Sequence, residues 1–524
     1  MADKKLTGGL LSVLMIKIAI MIVLLVIAAY LSLRLDFSRG KIYSLAEVSR
    51  QSVRKLEDRM VVKIYASEEL PPTLVSMDRY LRDILAEYKT RGRGKFLYQY
   101  VKANSPEHLR DMAQQNGLKY MVFQSFENDQ MVQKEVIYGL TIEYQGKIET
   151  LSLQPNMESK LEYILTTRFR KLYGVELPRV VVFRDSSYQY FHTDMLEVGL
   201  DQNYQLTSTD LVLPLSDTPI MLFTGVLDSL HTEQLYNLDQ YIMKGGKVVF
   251  LQDRVTTDGQ SVYSFESNLF TMLASYGVGL GRELVLDLNS DSRRLGGSTD
   301  VPYPFYPVVR GGDDNIITRN ISGIALYLAS EVSNLDTLDL SYTPILKTSP
   351  YSNKLRGPNF PIEQVLQTVP RYEIYNHPPI TVGAIFKGDL PSYFAGDPVY
   401  SQRPGFVSKS KASELIVYGD RELMMDPDNP RYADRNFIVF NAIDYLRGDE
   451  SMINIRSRSI QTSFLDVREY MERTNMLWGD QVKTEKRIKN TVRAISMLAP
   501  PLLLMALIFV VVKLQNRRRK GIVL

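Results

Sequence analysis

No cysteine occurs anywhere in the 524 residues. Disulfide staples, thiolate nucleophiles and cysteine-ligated zinc are excluded at once. Histidine is scarce: His108, His192, His231 and His377 are all there is, and no two stand at metal-ligand spacing. Each is read as a surface or packing residue. Tryptophan is single, Trp478. No Gly-x-x-x-x-Gly-Lys-Ser/Thr phosphate loop exists, since Gly92-Arg-Gly-Lys95 lacks both the spacing and the hydroxyl. The chain is therefore not expected to hydrolyse ATP, and no cofactor is expected. No Gly-x-Ser-x-Gly elbow occurs. Gly277-Val-Gly-Leu-Gly281 precedes a predicted strand instead of following one, so it is read as a turn and not as a dinucleotide fingerprint. Charge of one sign is not in excess either. With 62 basic and 59 acidic residues the net charge is +3, which implies no pull toward nucleic acid.

What the chain does have is two long apolar runs. Ala494 to Val512 carries no charge over nineteen residues, and Lys513 with the cluster Arg517 to Lys520 stops it. At ~1.5 Å per residue it nearly crosses a ~30 Å hydrocarbon core. Leu10 to Leu33 is interrupted only by Lys17, whose stem can lift its ammonium to the head groups. This run exceeds the apolar core of a cleaved signal peptide, so it is read as an uncleaved anchor. Two spans put both tails on one side of a lipid membrane and about 460 residues on the other. Basic residues flank both spans on both sides, so the positive-inside count is near a tie. The lack of cysteine tips the expectation toward a large domain outside the cytoplasm.

Between the spans, periodicity predicts an α/β chain. Ser44 with Glu47 reads as a capping box for a helix over Leu45–Leu56. Strand, helix, strand, helix, strands, helix then follow from Met60 to Tyr173, with Ser105-Pro106 opening the second of these helices and Gly174 stopping the last. That order is thioredoxin-like, with a generic α/β sandwich as the alternative. Thiol chemistry is excluded in either, because the loop after the first strand reads Ser67-Glu-Glu-Leu-Pro-Pro. From Pro178, continuous apolar strands at Val180–Phe183, Pro219–Phe223 and Lys247–Leu251 alternate with helices, which predicts a doubly wound parallel sheet. Residues 289–320 read as a loop, 454–465 as strand-like, and Val467–Arg493 as a membrane-proximal helix. The expected division is 1–35 (tail and span), 36–175, 176–455, 456–493 (membrane-proximal), 494–514 (span) and 515–524 (basic tail).

Acidic residues are the candidate site. Asp185 and Asp253 stand just past strand ends, where open α/β sheets place ligands. Asp313-Asp314 lie in the predicted long loop, and Asp420 follows the Glu414 strand with Asp426, Asp428 and Asp434 beyond it. EF-hand spacing is missing, and Asp-Pro-Asp-Asn is ordinary turn chemistry. No metal site is expected. These loops are read as contacts for a ligand or partner, with a metal-assisted hydrolase and a structural scaffold as the alternatives.

Several stretches together resemble a known family. They are Val417-Tyr-Gly-Asp420, Asn436 to Glu450 (NFIVFNAIDYLRGDE), Ile453-Asn-Ile-Arg456, the last span with its basic tail, and near the start Asp36, Gly40, Tyr43-Ser44-Leu45 and Lys63-Ile-Tyr65. In this order they are similar to the GldG family, auxiliary membrane components of ABC transport systems associated with gliding motility. The resemblance implies a non-enzymatic envelope subunit working with an ABC permease and a separate ATPase, and contacting an envelope partner or substrate. The middle region also resembles a domain shared with an intraflagellar-transport subunit, itself similar to class I glutamine amidotransferases. Those enzymes need a cysteine nucleophile, so the resemblance implies a fold and not an activity.

Overall fold

The computed structural model describes residues 44–457, apart from 102–104, 128–129, 156, 185–199, 201–202, 218, 295–299, 313, 320, 322, 368–373 and 425–432, together with 487, 490 and 491. The chain divides into two compact units, Met1–Ser459 and Ile460–Leu524. In the second, residues 487, 490 and 491 are helical, and the Thr491 hydroxyl donates to the Arg487 carbonyl at 2.9 Å. Among the described residues no helix is long and apolar enough to cross a membrane. The expected spans Leu10–Leu33 and Ala494–Val512 lie outside the described residues.

The first unit opens with helix α1 (Glu47–Arg54). The expected Ser44 capping box does not form. Ala46 is the N-cap, and side chains from elsewhere in the fold take the early donors. Glu87 accepts from the Leu45 N–H at 3.2 Å and Glu162 from the Ala46 N–H at 2.6 Å. Strand β1 (Met60–Ala66), helix α2 (Pro72–Arg91), strand β2 (Phe96–Val101) and helix α3 (Pro106–Gln115) follow. In α3 the Ser105 side chain accepts from the His108 N–H and Pro106 sits in the first turn, as the sequence predicts. Strands β3 (Tyr120–Glu127), β4 (Gln130–Tyr144) and β5 (Lys147–Ser152) and helix α4 (Glu158–Leu172) complete this part. The sheet runs β2-β1-β4-β3, with β5 also on β4; β1 is parallel to β2 and antiparallel to β4. Leu74, Leu81, Leu85 and Tyr88 of α2 and Leu161, Leu165 and Phe169 of α4 close one core with Val62, Ile64, Leu140 and Ile142. Burying each such side chain contributes about 1.5–3 kcal/mol.

The rest of the unit is built on a ten-stranded sheet. Its strands are β6 (Arg179–Phe183), β7 (Gln205–Thr209), β8 (Ile220–Phe223) and β9 (Val248–Leu251), then β13 (Ser290–Arg294), β14 (Asp300–Gly311), β15 (Ile324–Ala325), β17 (Ser341–Lys347), β20 (Thr381–Gly388) and β21 (Ser413–Tyr418). Two small sheets lie beside it. One joins β10 (Val255–Thr257), β11 (Val262–Ser264) and β19 (Asn359–Phe360); the other joins β12 (Val278–Asp287), β16 (Ser330–Asn334) and β18 (Ser352–Leu355).

Only the run β7-β6-β8-β9-β21 is parallel. Strand β20 is antiparallel to β21, and β17 and β14 continue antiparallel, so the sheet is mixed and not parallel throughout. The reason lies in the connection from β20 to β21, which holds a single 3-10 turn at Tyr400–Gln402 and no crossover α-helix. Along the parallel strands, alternate residues enter opposite layers. Val180, Val182, Leu222, Val249 and Ile416 face α8 (Ala433–Arg447) through Ile438, Val439 and Ile443. Val181, Phe183, Phe223, Phe250 and Val417 face α5 (Thr232–Met243) and α6 (Asn268–Ser275) through Leu235, Leu238, Ile242 and Leu273. Burial on both faces is why these strands read as unbroken apolar runs.

Three further expectations are corrected. Residues 289–320 are not a loop throughout, since β13 and β14 occupy 290–294 and 300–311. Pro302 and Pro307 pair with β13 around a register shift, where a missing N–H is tolerated, while Tyr303, Phe305 and Val309 are buried. Residues 454–456 are helical, the end of α9 (Glu450–Arg456), which Asp449 caps through the Ser451 N–H. The Gly277–Gly281 stretch is a turn only at Gly277, whose φ is +79°; Val278 already belongs to β12. A short helix α7 (Ile362–Gln367) packs through Ile362 and Val365 on a small core around Phe305.

Candidate functional site at the carboxyl ends of the parallel strands

The parallel strands end together, and their carboxyl ends carry polar residues. After β8, the Thr224 hydroxyl donates to the Phe183 carbonyl at 2.6 Å and so ties the ends of β6 and β8. After β9, Gln252 is fully buried; it accepts from the Val226 N–H at 2.8 Å and donates to the Val226 carbonyl at 3.0 Å. Asp253 comes next. Its Oδ2 accepts from the Arg421 N–H at 3.2 Å, and its Oδ1 lies 2.9 Å from Arg421 Nη1. The latter contact brings the charges together without the alignment of a hydrogen bond.

Past β21, Asp420 is wholly buried. It accepts from the Tyr327 N–H at 2.9 Å and from the Glu422 N–H at 2.7 Å. Arg421 folds back over the ends of β8 and β9, reaching the Thr256 hydroxyl at 3.3 Å, with its guanidinium 5.7 Å from the Phe265 ring. Gly225, at φ +90°, makes room for it. A Cβ there would stand 2.7 Å from Arg421 Cγ and 2.7 Å from the Leu251 carbonyl oxygen. Arg435 of α8 donates to the Ala325 carbonyl at 2.6 Å and lies 4.1 Å over the Tyr327 ring.

Three carboxyl groups and two guanidiniums thus share one strand-end cluster. Burial pushes Asp253 up to about 7; Arg421 opposes this, while the Asp420 and Glu422 charges add to it. Burial likewise raises Asp420 to about 7, against the pull of Arg435 and the two backbone donors. Glu422 is half-buried and raised by desolvation, with Arg421 and Arg435 opposing. Among the described residues its carboxylate makes no hydrogen bond or close ion pair. Beside it stand Tyr306 and Tyr327, ring centroids 4.6 Å apart, with Tyr303 4.7 Å from Tyr306 and Arg293 over both Tyr303 and Tyr306. The Glu422 charge helps raise Tyr306 to about 12, though burial is the larger cause.

Of the residues singled out in the sequence, Asp253 and Asp420 come together here. Asp314 is exposed in the turn after β14 and has no part in these bonds. Asp185 and Asp313 lie outside the described residues. Arg421, Glu422 and Arg435 were not foreseen. The signal for the first two was adjacency, because Asp420-Arg-Glu422 is one unbroken charged run directly past an apolar strand. Among the described residues no three histidines or carboxylates converge to hold a metal ion. The cluster can orient loops and present one carboxylate beside aromatic faces.

Comparison with known proteins adds a family. Residues 178–442, just over half of the chain, match the family described as an ABC-type uncharacterized transport system. The chain belongs to this ABC-type transport family. The matched segment begins just before β6 and ends within α8, so it contains the Asp253–Arg421 cluster. Residues 39–143 match a domain of unknown function. An uncharacterized protein of Borreliella burgdorferi is 21% identical over 448 residues, covering 82% of this chain and 85% of its own. The N-terminal domain of mmIFT52 aligns at a TM-score of 0.31 and 15% identity, over 51% of this chain and 96% of its own.

Proposed function

We propose that this chain is a GldG-like, non-enzymatic auxiliary subunit of an envelope ABC transport system. The observation that carries this reading is the family match over residues 178–442. In the proposal, Leu10–Leu33 and Ala494–Val512 are two membrane spans, and the domains between them stand outside the cytoplasm. Residues 36–175 form a thioredoxin-like domain, a reading supported by the order β2-β1-β4-β5 with β1 parallel to β2. Residues 176–455 form the amidotransferase-like domain, a reading supported by the five parallel strands with α8 on one face and α5 and α6 on the other. A separate ATPase supplies energy to a permease, and the loops around Asp253 and Glu422, with Asp185, Asp313, Asp314 and Asp420, meet the envelope partner or substrate. The chemistry of the cluster favours binding over catalysis, because Asp253 and Asp420 are engaged by backbone donors and guanidiniums.

The test is recovery of partners. Full-length chain with an affinity tag, extracted from its own membranes in mild detergent, is expected to bring down an ABC ATPase and a permease. Recovery of neither, from membranes in which both are abundant, would refute the assignment. Replacing Ala494–Val512 with an unrelated apolar helix separates anchoring from contact: the protein should stay in the membrane but recover less permease. Pro500-Pro501 motivates this expectation, since prolines free helix carbonyls that a neighbouring helix can satisfy.

A further inference from the structure

At the opposite end of the parallel strands a small cavity of about 50 Å3 opens where α4 meets α8 and α9. Its wall includes Thr167 and Arg170 of α4, the connecting segment Val175–Pro178, Asn203, and Arg447, Asp449 and Arg456. This is the joint between the two halves of the first unit. A buried network crosses it. The Tyr163 hydroxyl donates to Asn203 at 2.6 Å, and Arg456 donates to the Tyr163 hydroxyl at 3.2 Å, to Asn441 at 2.8 Å and to Asp444. Asp444 also accepts from Tyr204 at 3.2 Å and Arg447 at 3.3 Å, so its charge is already matched.

Two donors on the α4 wall have no well-aligned partner among the described residues. Thr167 and Arg170 are three residues apart and share one helix face with Tyr163. The Thr167 hydroxyl is buried beside the Tyr163 hydroxyl, yet it makes no aligned hydrogen bond. Arg170 is half-buried and makes no hydrogen bond or close ion pair among the described residues. The acids of the wall do not answer them. Asp444 is saturated, Asp449 caps α9 and faces Arg447 at 3.9 Å, and Glu176 is exposed to solvent at the rim. A water needs roughly 10–15 Å3 of such space, so the cavity takes about four water-sized centres. That is the size of a compact group of four or five heavy atoms.

We propose that this cavity binds a small oxyanion, a carboxylate or phosphate, through the Arg170 guanidinium and the Thr167 hydroxyl. An anion held there sits on the face of α4 that meets the α8–α9 corner of the second half. The site is independent of the strand-end cluster and of the transport assignment.

Purified full-length chain in detergent, probed with inorganic phosphate and separately with acetate against chloride at matched ionic strength, tests the proposal. At least one probe is expected to raise the thermal midpoint by about 1–2 °C at saturation, with half-saturation below about 10 mM. Arg170→Gln should weaken the response at least tenfold, and Thr167→Val should weaken it to a lesser degree. Lys171→Gln, which removes an exposed basic neighbour paired with Glu149, should keep the full response. Absence of a midpoint shift with both probes overturns the proposal. So does an equal shift in the wild type and Arg170→Gln, which would mean the anion acts elsewhere. Direct titration calorimetry on Arg170→Gln covers the case in which that variant alters stability itself.

Discussion

Removing Arg456 should loosen the joint between the two halves more than any other single change there. Its guanidinium is 1% exposed and donates to Asp444, Asn441, Tyr163 and the Phe440 carbonyl. In Arg456→Ala, Asp444 stays buried without its guanidinium partner. Removing one partner of a buried pair costs about 3–5 kcal/mol, since the other charge is left without compensation. Here Tyr204 and the partly exposed Arg447 still reach Asp444, so the lower end applies, about 3 kcal/mol. Urea unfolding of the full-length protein followed by circular dichroism measures the loss. Limited chymotrypsin digestion, which can cut after Tyr173, reports separately on residues 173–178, where the two halves connect. In an Asp444→Asn background the same substitution should cost about 1 kcal/mol or less, because the stranded charge is gone. A cost below about 1 kcal/mol in the wild-type background, or equal costs in both, would refute the reasoning that the buried charge sets the penalty.

Gly225→Ala should destabilise the protein by about 2–4 kcal/mol, measured by the same urea titration, because φ +90° and the 2.7 Å approach to Arg421 exclude a Cβ. Stability should fall as pH rises from about 4 to about 7. Asp253 and Asp420 are raised to about 7, so between their unfolded values near 4 and that point the folded state binds more protons, and the advantage is lost on going up. Thermal midpoints across that range check the sign, and Asp253→Asn should flatten the slope. Glu422→Gln should leave stability within about 1 kcal/mol, since it removes a half-buried charge without a bonded partner, yet reduce recovery of the envelope partner in pull-downs. Protease added to intact spheroplasts should digest residues 36–492 and spare both tails; a protected middle segment would overturn the proposed orientation.

The parts that were legible in the sequence share one property: local pattern and tertiary setting agree. Val180–Phe183 and Lys247–Leu251 read as strands because they are buried on both faces, and Ser105-Pro106 reads as a helix start because the cap is made locally. Where distant residues decide, the sequence misleads. Ser44 looks like a cap, but carboxylates 42 and 116 residues away take the N–H groups of Leu45 and Ala46. Strand β14 looks like a proline loop, but its alternation of Tyr303 and Phe305 under proline is what a bulged strand shows. Strand β7 is polar and mostly exposed because it lies at a sheet edge, so no apolar run marks it. At the candidate site, strand-end position pointed to Asp253 and Asp420. Nothing local told that both would be buried, with Glu422 beside them left half-exposed.

The clasp on Ala46 has a mechanical meaning. Glu162 holds the backbone where the chain enters the fold, and the next residue, Tyr163, holds Asn203 and Arg456 of the second half. A load on Leu45 and Ala46 is therefore shared by α2, through Glu87, and by α4, through Glu162, and α4 also carries Tyr163 into the joint.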